Sequence, residues 1–368
     1  MTAKNVRINV GRPMTRRERC EAAMNLQEPD RVPTYDLLHN DGAIEWYSGE
    51  KLTIEDGLRQ TCVAISRSLD MTRCIYGPAE ETTWESPDGF VHRRLRWTQW
   101  IEKRPFQDVE GLKVWVKQNI QDRNAWKPDP AWVEAFLGRF DQCQAWCGDT
   151  VILLAESGVG IEHAYHAARL ELFCYLLDDD PGLVSEWLEA TYQQELRRIH
   201  AIADVKRSPV VLTYGDIAYK DKLIFSPTFL RREFFPRLKV INDTWHNYGF
   251  KCLFHSDGNL MEVMGDIIEA GSDGLNPIEV VAGMDLAELK RLYGDRLFFA
   301  GGIDVSQLMA YGTTEEVKAA CREAIRVAAP GGGYFLGGTT ELHHAIPAEN
   351  IVAMVDSAEE FGRYPLGG

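Results

Sequence analysis

Between Val210 and Gly362 the chain repeats one pattern five times: a short apolar run ends in polar residues, and a capped amphipathic helix follows. The first unit is VVLTYGD, Val210 to Asp216. Its helix has Ser226 as N-cap, Pro227 in the first turn, apolar spacing through Phe229, Phe234, Leu238 and Ile241, and Gly249 as stop. KCLFHSDG comes next, before a helix from Leu260 to Ala270, and DGLNPIE, Asp273 to Glu279, precedes a helix around Leu286 to Leu292. LFFAGGID, Leu297 to Asp304, leads into a helix whose Thr313 to Glu316 start has the form of a capping box, and GYFLGGTTE, Gly333 to Glu341, precedes a helix introduced by Pro347.

Upstream, VPTYDLL (Val32 to Leu38) and VILLAES (Val151 to Ser157) read as two more strands, and Asp180-Pro181 opens a helix reaching about His200. The region from Asp70 to Asp129 is less regular. WESPDGFVHRRLRWTQWIEKR alternates like a β-hairpin with Asp88-Gly89 as its turn, which places a hairpin-like insertion there. Seven or eight parallel strands with helices between them mean either a doubly wound sheet or a barrel. No glycine-rich dinucleotide fingerprint follows the first strand, and Gly331 to Gly333 precede a strand and not a helix. The expected architecture is therefore α/β, a (β/α)8 TIM barrel: residues 1–30 form an N-terminal helical extension packed on it, and residues 31–368 form one catalytic barrel domain.

The formal net charge of -15 over 368 residues argues against a nucleic-acid surface, and Arg16-Arg17-Glu18-Arg19 and His92-Arg93-Arg94 are short solvated faces. No run approaches the ~18 apolar residues of a membrane span, and the opening MTAKNVRINVGRP is too polar for a signal-peptide core, so a cytoplasmic protein without membrane association is expected. The eight cysteines are scattered through strands and helices, a pattern of reduced, buried thiols. Cys143 and Cys147 share a helix face but lack the second ligand pair of a structural zinc site.

In a barrel the strand C-termini face one mouth. They carry Tyr35, Asp36 and His39; Glu156 and Glu162; Tyr214 and Asp216; His255 and Asp257; Asn276 and Glu279; Asp304; and Thr340, Glu341 and His343. Crowded carboxylates shift one another's pKa values, which suits proton transfer or cation binding. His255 and Asp257, spaced i, i+2 at the end of a buried strand, point to one side and can chelate, with Glu341 as third ligand of an open zinc site; a metal-free site is the rival. His163 and His166, just beyond another strand end, are candidates for substrate contact or for packing at a helix start.

The segments GDIAYKDKLIFSPTFLRREFFPRLK, FHSDGN, AGSDGLNPIE, GDRLFFAGGID and GGGYFLGGTTELHHAIPAENI, with RRERCEAAMNLQEPDRVPTYD near the start, together resemble the uroporphyrinogen decarboxylase superfamily. The resemblance implies a (β/α)8 barrel and two reaction classes, cofactor-free porphyrinogen decarboxylation and zinc-dependent methyl transfer linked to corrinoids. The decarboxylases carry an arginine-rich RQAGR motif after the first strand, where this chain reads YDLLHNDGA, and their late histidine falls near Thr340. The methyltransferases have H-x-C where this chain has His255-Ser256-Asp257, and a last-strand cysteine near the place of Thr340-Glu341. Oxygen ligands in place of both thiolates suit the polarisation of an ether or hydroxyl oxygen. The expectation is an O-demethylating methyltransferase that passes a methyl group from a small methoxylated substrate to the cobalamin of a separate corrinoid protein. In it His255, Asp257 and Glu341 hold zinc, and Asp216 or Tyr214 positions the substrate. Tyr35, Asp36, His39, Glu156, His163, Asn276 and His343 make further substrate contacts. The superfamily resemblance also implies a homodimer. The rivals are a metal-free decarboxylase or lyase of a small carboxylic acid, a methyltransferase using another donor, and a non-catalytic small-molecule-binding barrel. An arginine clamp in the mouth favours the decarboxylase, and Arg231 and Arg232 are its candidates.

Overall fold

The computed structural model describes residues 12–366, so the first eleven residues of the expected N-terminal extension lie outside the described residues. Eight parallel strands form the barrel: β1 Tyr35–Asp36, β2 Met71–Thr72, β3 in two segments (Val151–Ile152 and Glu156–Gly158), β4 Val210–Tyr214, β5 Lys251–His255, β6 Gly274–Asn276, β7 Phe298–Ile303 and β8 Tyr334–Gly338. Each pairs with the next in chain order, and a parallel bridge between Thr34 and Leu336 joins β1 to β8 and closes the ring.

Strand periodicity divides the apolar residues into two sets. Tyr35, Met71, Val151, Leu153, Val210, Leu212, Leu253, Phe298, Ala300 and Phe335 fill the barrel interior as one cluster. Val211, Phe254, Leu275, Phe299 and Leu336 face outward into the larger core beneath the helices. Cys20, Ala23 and Met24, on the helix Arg16–Met24, join the interior cluster, so this extension plugs the barrel's N-terminal end. Buried Asp70 at the start of β2 locks the plug, accepting from Arg19 and Arg31 at 2.6 Å each and from the Thr34 amide at 2.8 Å. Burial alone would raise the Asp70 pKa, but the two guanidiniums hold it below the ordinary carboxylate range.

One expectation is met and extended, and one needs correction. The insertion contains the expected hairpin, Thr82–Glu85 with Val91–Arg94 around Asp88-Gly89, and adds a third antiparallel strand, Gln99–Lys103. The helix capped by Ser226 breaks at Phe234 into Pro227–Glu233 and Phe235–Asn247, because Pro236 offers no N–H and crowds the preceding turn. No helix among the described residues is long and apolar enough to cross a membrane.

Candidate active site

The interior strand positions that are apolar deep in the barrel become polar at its C-terminal end. In register across β4, β5 and β6 stand Tyr214, His255 and Asn276. Asn276 donates its amide N–H to the Ala300 carbonyl at 3.1 Å, which turns its oxygen toward His255 Nδ1 at 2.8 Å. Nδ1 therefore carries the proton, and the lone pair on Nε2 points at two carboxylates, Asp216 at 3.9 Å and Asp257 at 4.0 Å. These three side chains form a compact donor group, one ligand atom from each lying within 4.8 Å of the others.

The loops after β4 and β5 hold the carboxylates in place. The Asp257 amide donates to Asp216 Oδ1 at 3.1 Å, the Gly258 amide to Glu279 at 2.7 Å, and the Ile217 amide to Ser256 Oγ at 3.1 Å. Gly258 has φ +81° and lies so close to the chain at Ala218 that a Cβ there would meet backbone at 2.8 Å, so the Asp257-Gly258 turn requires glycine. Asp257 Oδ1 is buried without any hydrogen-bond partner.

The site carries more negative charge than its surroundings neutralise. Burial, with Asp216 and Glu279 nearby, pushes Asp257 up to about 7, and burial beside Asp216 pushes Glu162 up to about 8. Burial also lifts Asp36 to about 8 although the Gly338 and Leu37 amides donate to it. His255 is held below the usual imidazole range by burial and by the guanidinium of Arg73, with Asp216 opposing.

The expected site residues fall into three groups. Tyr35, Asp36, His255, Asn276 and Glu341 line one cavity at the mouth. Glu156, His163 and Tyr214 line an adjoining one of about 230 Å3, where the Tyr214 hydroxyl is 3.3 Å from His163 Nε2 and burial lowers His163 to about 4. His39 and His343 line neither: they pair on a short parallel ladder outside the barrel ring, and His39 stacks on Trp97 of the insertion at 5.4 Å. Glu341, expected as the third metal ligand, is not a member of the donor group; its place is taken by Asp216, and its own carboxylate accepts from the Thr340 hydroxyl at 2.6 Å. Burial opposes ionisation of Glu341, but the Thr340 hydroxyl and its own backbone amide keep its pKa low. Arg231 and Arg232, both exposed, line neither cavity and pair instead with the largely buried Asp266 and Glu233. Cys143 and Cys147 are buried in helix packing, with Cys147 Sγ 3.5 Å from the Cys62 carbonyl, and all eight cysteines are free.

Sequence reading missed Arg73 and Cys74, which leave β2 directly into the mouth. Arg73 lines the cavity with His255, while the Cys74 thiol donates to Glu156. The missed signal is brief, since only Met71 and Thr72 of this strand make ladder pairs.

A closed ring of eight parallel strands with a polar cluster at their carboxyl ends defines a (β/α)8 barrel of the enzyme type. The chain belongs to the uroporphyrinogen decarboxylase family, whose model, described as uroporphyrinogen decarboxylase (URO-D), matches residues 171–361. Among solved structures it is similar to a methyltransferase from Methanosarcina mazei, with a TM-score of 0.69 and 16% identity over 95% of this chain and 99% of that one. Direct comparison with curated protein sequences finds no match.

Proposed function

We propose that this chain is an O-demethylating methyltransferase that takes the methyl group of a small methoxyarene and delivers it to the corrinoid of a separate protein. The observation that carries the reading is the Asp216–His255–Asp257 group, with the imidazole tautomer set by Asn276 so that an unprotonated nitrogen faces two carboxylates. The group fits a divalent metal: its donors are one nitrogen and carboxylate oxygens, and Asp257 Oδ1 is a buried acceptor with no donor of its own. His255, Asp257 and Asp216 would hold zinc, and the ion when bound supplies Lewis acidity toward a substrate ether oxygen. The chain's own residues hold the imidazole through Asn276 and the Asp257-Gly258 turn through Glu279 and Asp216. The carrier is a visitor because the chain has no D-x-H-x-x-G corrinoid motif. Eight unpaired cysteines accord with the reducing cytoplasm.

Arg73 beside the same cavity favours a second reading, a decarboxylase or lyase of a small carboxylic acid. Two measurements decide between them. Elemental analysis of protein purified without added metal is expected to find about one zinc per chain, lost in His255→Ala. Incubation with methoxyarenes and a reduced corrinoid protein is expected to methylate the corrinoid, read by its absorption spectrum. A metal-free, active wild type, or no transfer across a broad substrate panel, overturns the proposal.

A further inference from the structure

Below the mouth, the seam between β2 and β3 comes apart. The Leu153 amide donates to the Thr72 carbonyl at 2.9 Å, but from Leu154 onward β3 bonds β4 instead: the Leu154 amide donates to the Val210 carbonyl at 3.1 Å, and the Leu212 amide to the Ala155 carbonyl at 3.0 Å. On the other side of the seam the chain leaves β2 through Cys74, whose φ of +35° is one that side chains rarely adopt. The parted strands and the helix Pro130–Cys147 outside them bound a cavity of about 280 Å3 in the barrel wall. Buried Ile75, Phe140, Leu154 and Ala155, with Phe136 beside them, give it an apolar lining. An apolar cavity of about 150 Å3 is enough to hold benzene, so this one has room for a substituted ring.

One end of the wall cavity is polar. Glu156 and Arg198 line it and also line the cavity that holds Tyr214 and His163, so the two adjoin there. Arg198 donates to Glu195 and to the Glu156 carbonyl. The Glu156 carboxylate is only half engaged: Oε1 accepts from the Cys74 thiol and faces Arg73 at 3.6 Å, while among the described residues no group donates to Oε2. An apolar pocket with one carboxylate oxygen at its end fits a ring that carries an O–H. We infer that the wall cavity is a second small-molecule site, taking a phenol whose ring lies on the apolar lining and whose hydroxyl donates to Glu156 Oε2. A methyl ether of the same ring has no O–H to give. The site stands on the wall residues alone; what rests on the proposed function is its use, since a phenol is what O-demethylation of a methoxyarene leaves, and the cavity would take that product up beside the mouth.

Ligand-observed NMR titration of the purified full-length protein with phenol and with methoxybenzene tests the site. Wild type is expected to bind phenol about tenfold more tightly, the worth of a hydrogen bond to a charged acceptor. Ala155→Leu, which fills the wall cavity and touches neither of the other two, is expected to lose phenol binding, and His255→Ala to keep it. Glu156→Gln is expected to narrow the preference to a few-fold. The wild-type comparison needs no variant, so it stands even if one fails to fold. Equal binding of phenol and methoxybenzene by wild type, or undiminished phenol binding by folded Ala155→Leu, overturns the site. Loss of phenol in His255→Ala places it on the metal-binding group and does the same. Phenol bound as expected, with no methyl transfer from methoxyarenes to the corrinoid, leaves the wall site standing and sinks the demethylase reading. Methyl transfer by a wild type that does not prefer phenol does the reverse.

Discussion

Asn276 makes two hydrogen bonds with different jobs, and they can be separated. The residue is 5% exposed, its carboxamide accepting from His255 Nδ1 at 2.8 Å and donating to the Ala300 carbonyl at 3.1 Å. Asn276→Ala removes both. Each buried hydrogen bond is worth about 1 kcal/mol net, and the stranded partners and small void add to that, so a loss of about 2–4 kcal/mol is expected. The imidazole also loses the partner that sets its tautomer and angle, which for a metal-binding histidine costs about 10–100-fold in affinity. Asn276→Asp keeps an acceptor for Nδ1 but sets a carboxylate against the Ala300 carbonyl among existing acids. It is expected to lose about 1–3 kcal/mol while keeping, or raising, zinc affinity. Chemical denaturation of the metal-free proteins measures the first quantity, and zinc competition against a chromophoric chelator the second. Should Asn276→Ala lose stability yet hold zinc as wild type does, the relay serves the fold alone and the assignment of Nε2 as a ligand atom fails.

Two further predictions follow from the loops and the buried acids. Asp36 has a folded-state pKa near 8 against about 3.9 unfolded, so the native state binds its proton more tightly; the stability this gives is complete below about pH 4 and lost as pH rises through 8. Asp36→Asn, which cannot ionise, is therefore expected to flatten the fall in Tm between pH 6 and 9, and a parallel fall in both proteins rejects the assignment. Gly258→Ala forces a side chain into a +81° turn against the backbone at Ala218, for an expected cost of about 2–3 kcal/mol. Because it displaces Asp257, zinc content should fall with stability; an unchanged melting curve would contradict the turn geometry.

Much of the barrel was legible because strands such as Val210–Tyr214 and Lys251–His255 are continuous apolar runs ending in polar residues. Helix starts at Thr313 and Ser226 were legible too, since a capping side chain acts within three residues of itself. What stayed hidden depends on distance across the chain. β2 has two ladder residues inside LDMTRCIYG, with no periodicity to read, and so the arginine it delivers to the mouth went unseen. His39 and His343 stand at strand ends in the sequence, and only the fold shows that a parallel ladder between Leu38–His39 and Leu342–His343 pairs them with each other beside Glu341. The third member of the donor group follows from neighbour order. Consecutive barrel strands are neighbours, so Asp216, two residues beyond Tyr214 and paired through it with His255, was always nearer than Glu341, which follows β8.

The distribution of charge around the mouth also bears on what the mouth can accept. Glu162, Asp216, Asp257 and Glu279 gather over β3 to β6, and two of them, Glu162 and Asp257, are pushed toward neutrality by burial and by the Asp216 carboxylate. An anion cannot approach that side without compounding the repulsion, whereas a divalent cation there would relieve it. Arg73, which enters from β2 and stands 3.6 Å from Glu156, offsets that charge only in part, so the repulsion that a divalent cation would relieve persists at this side of the mouth.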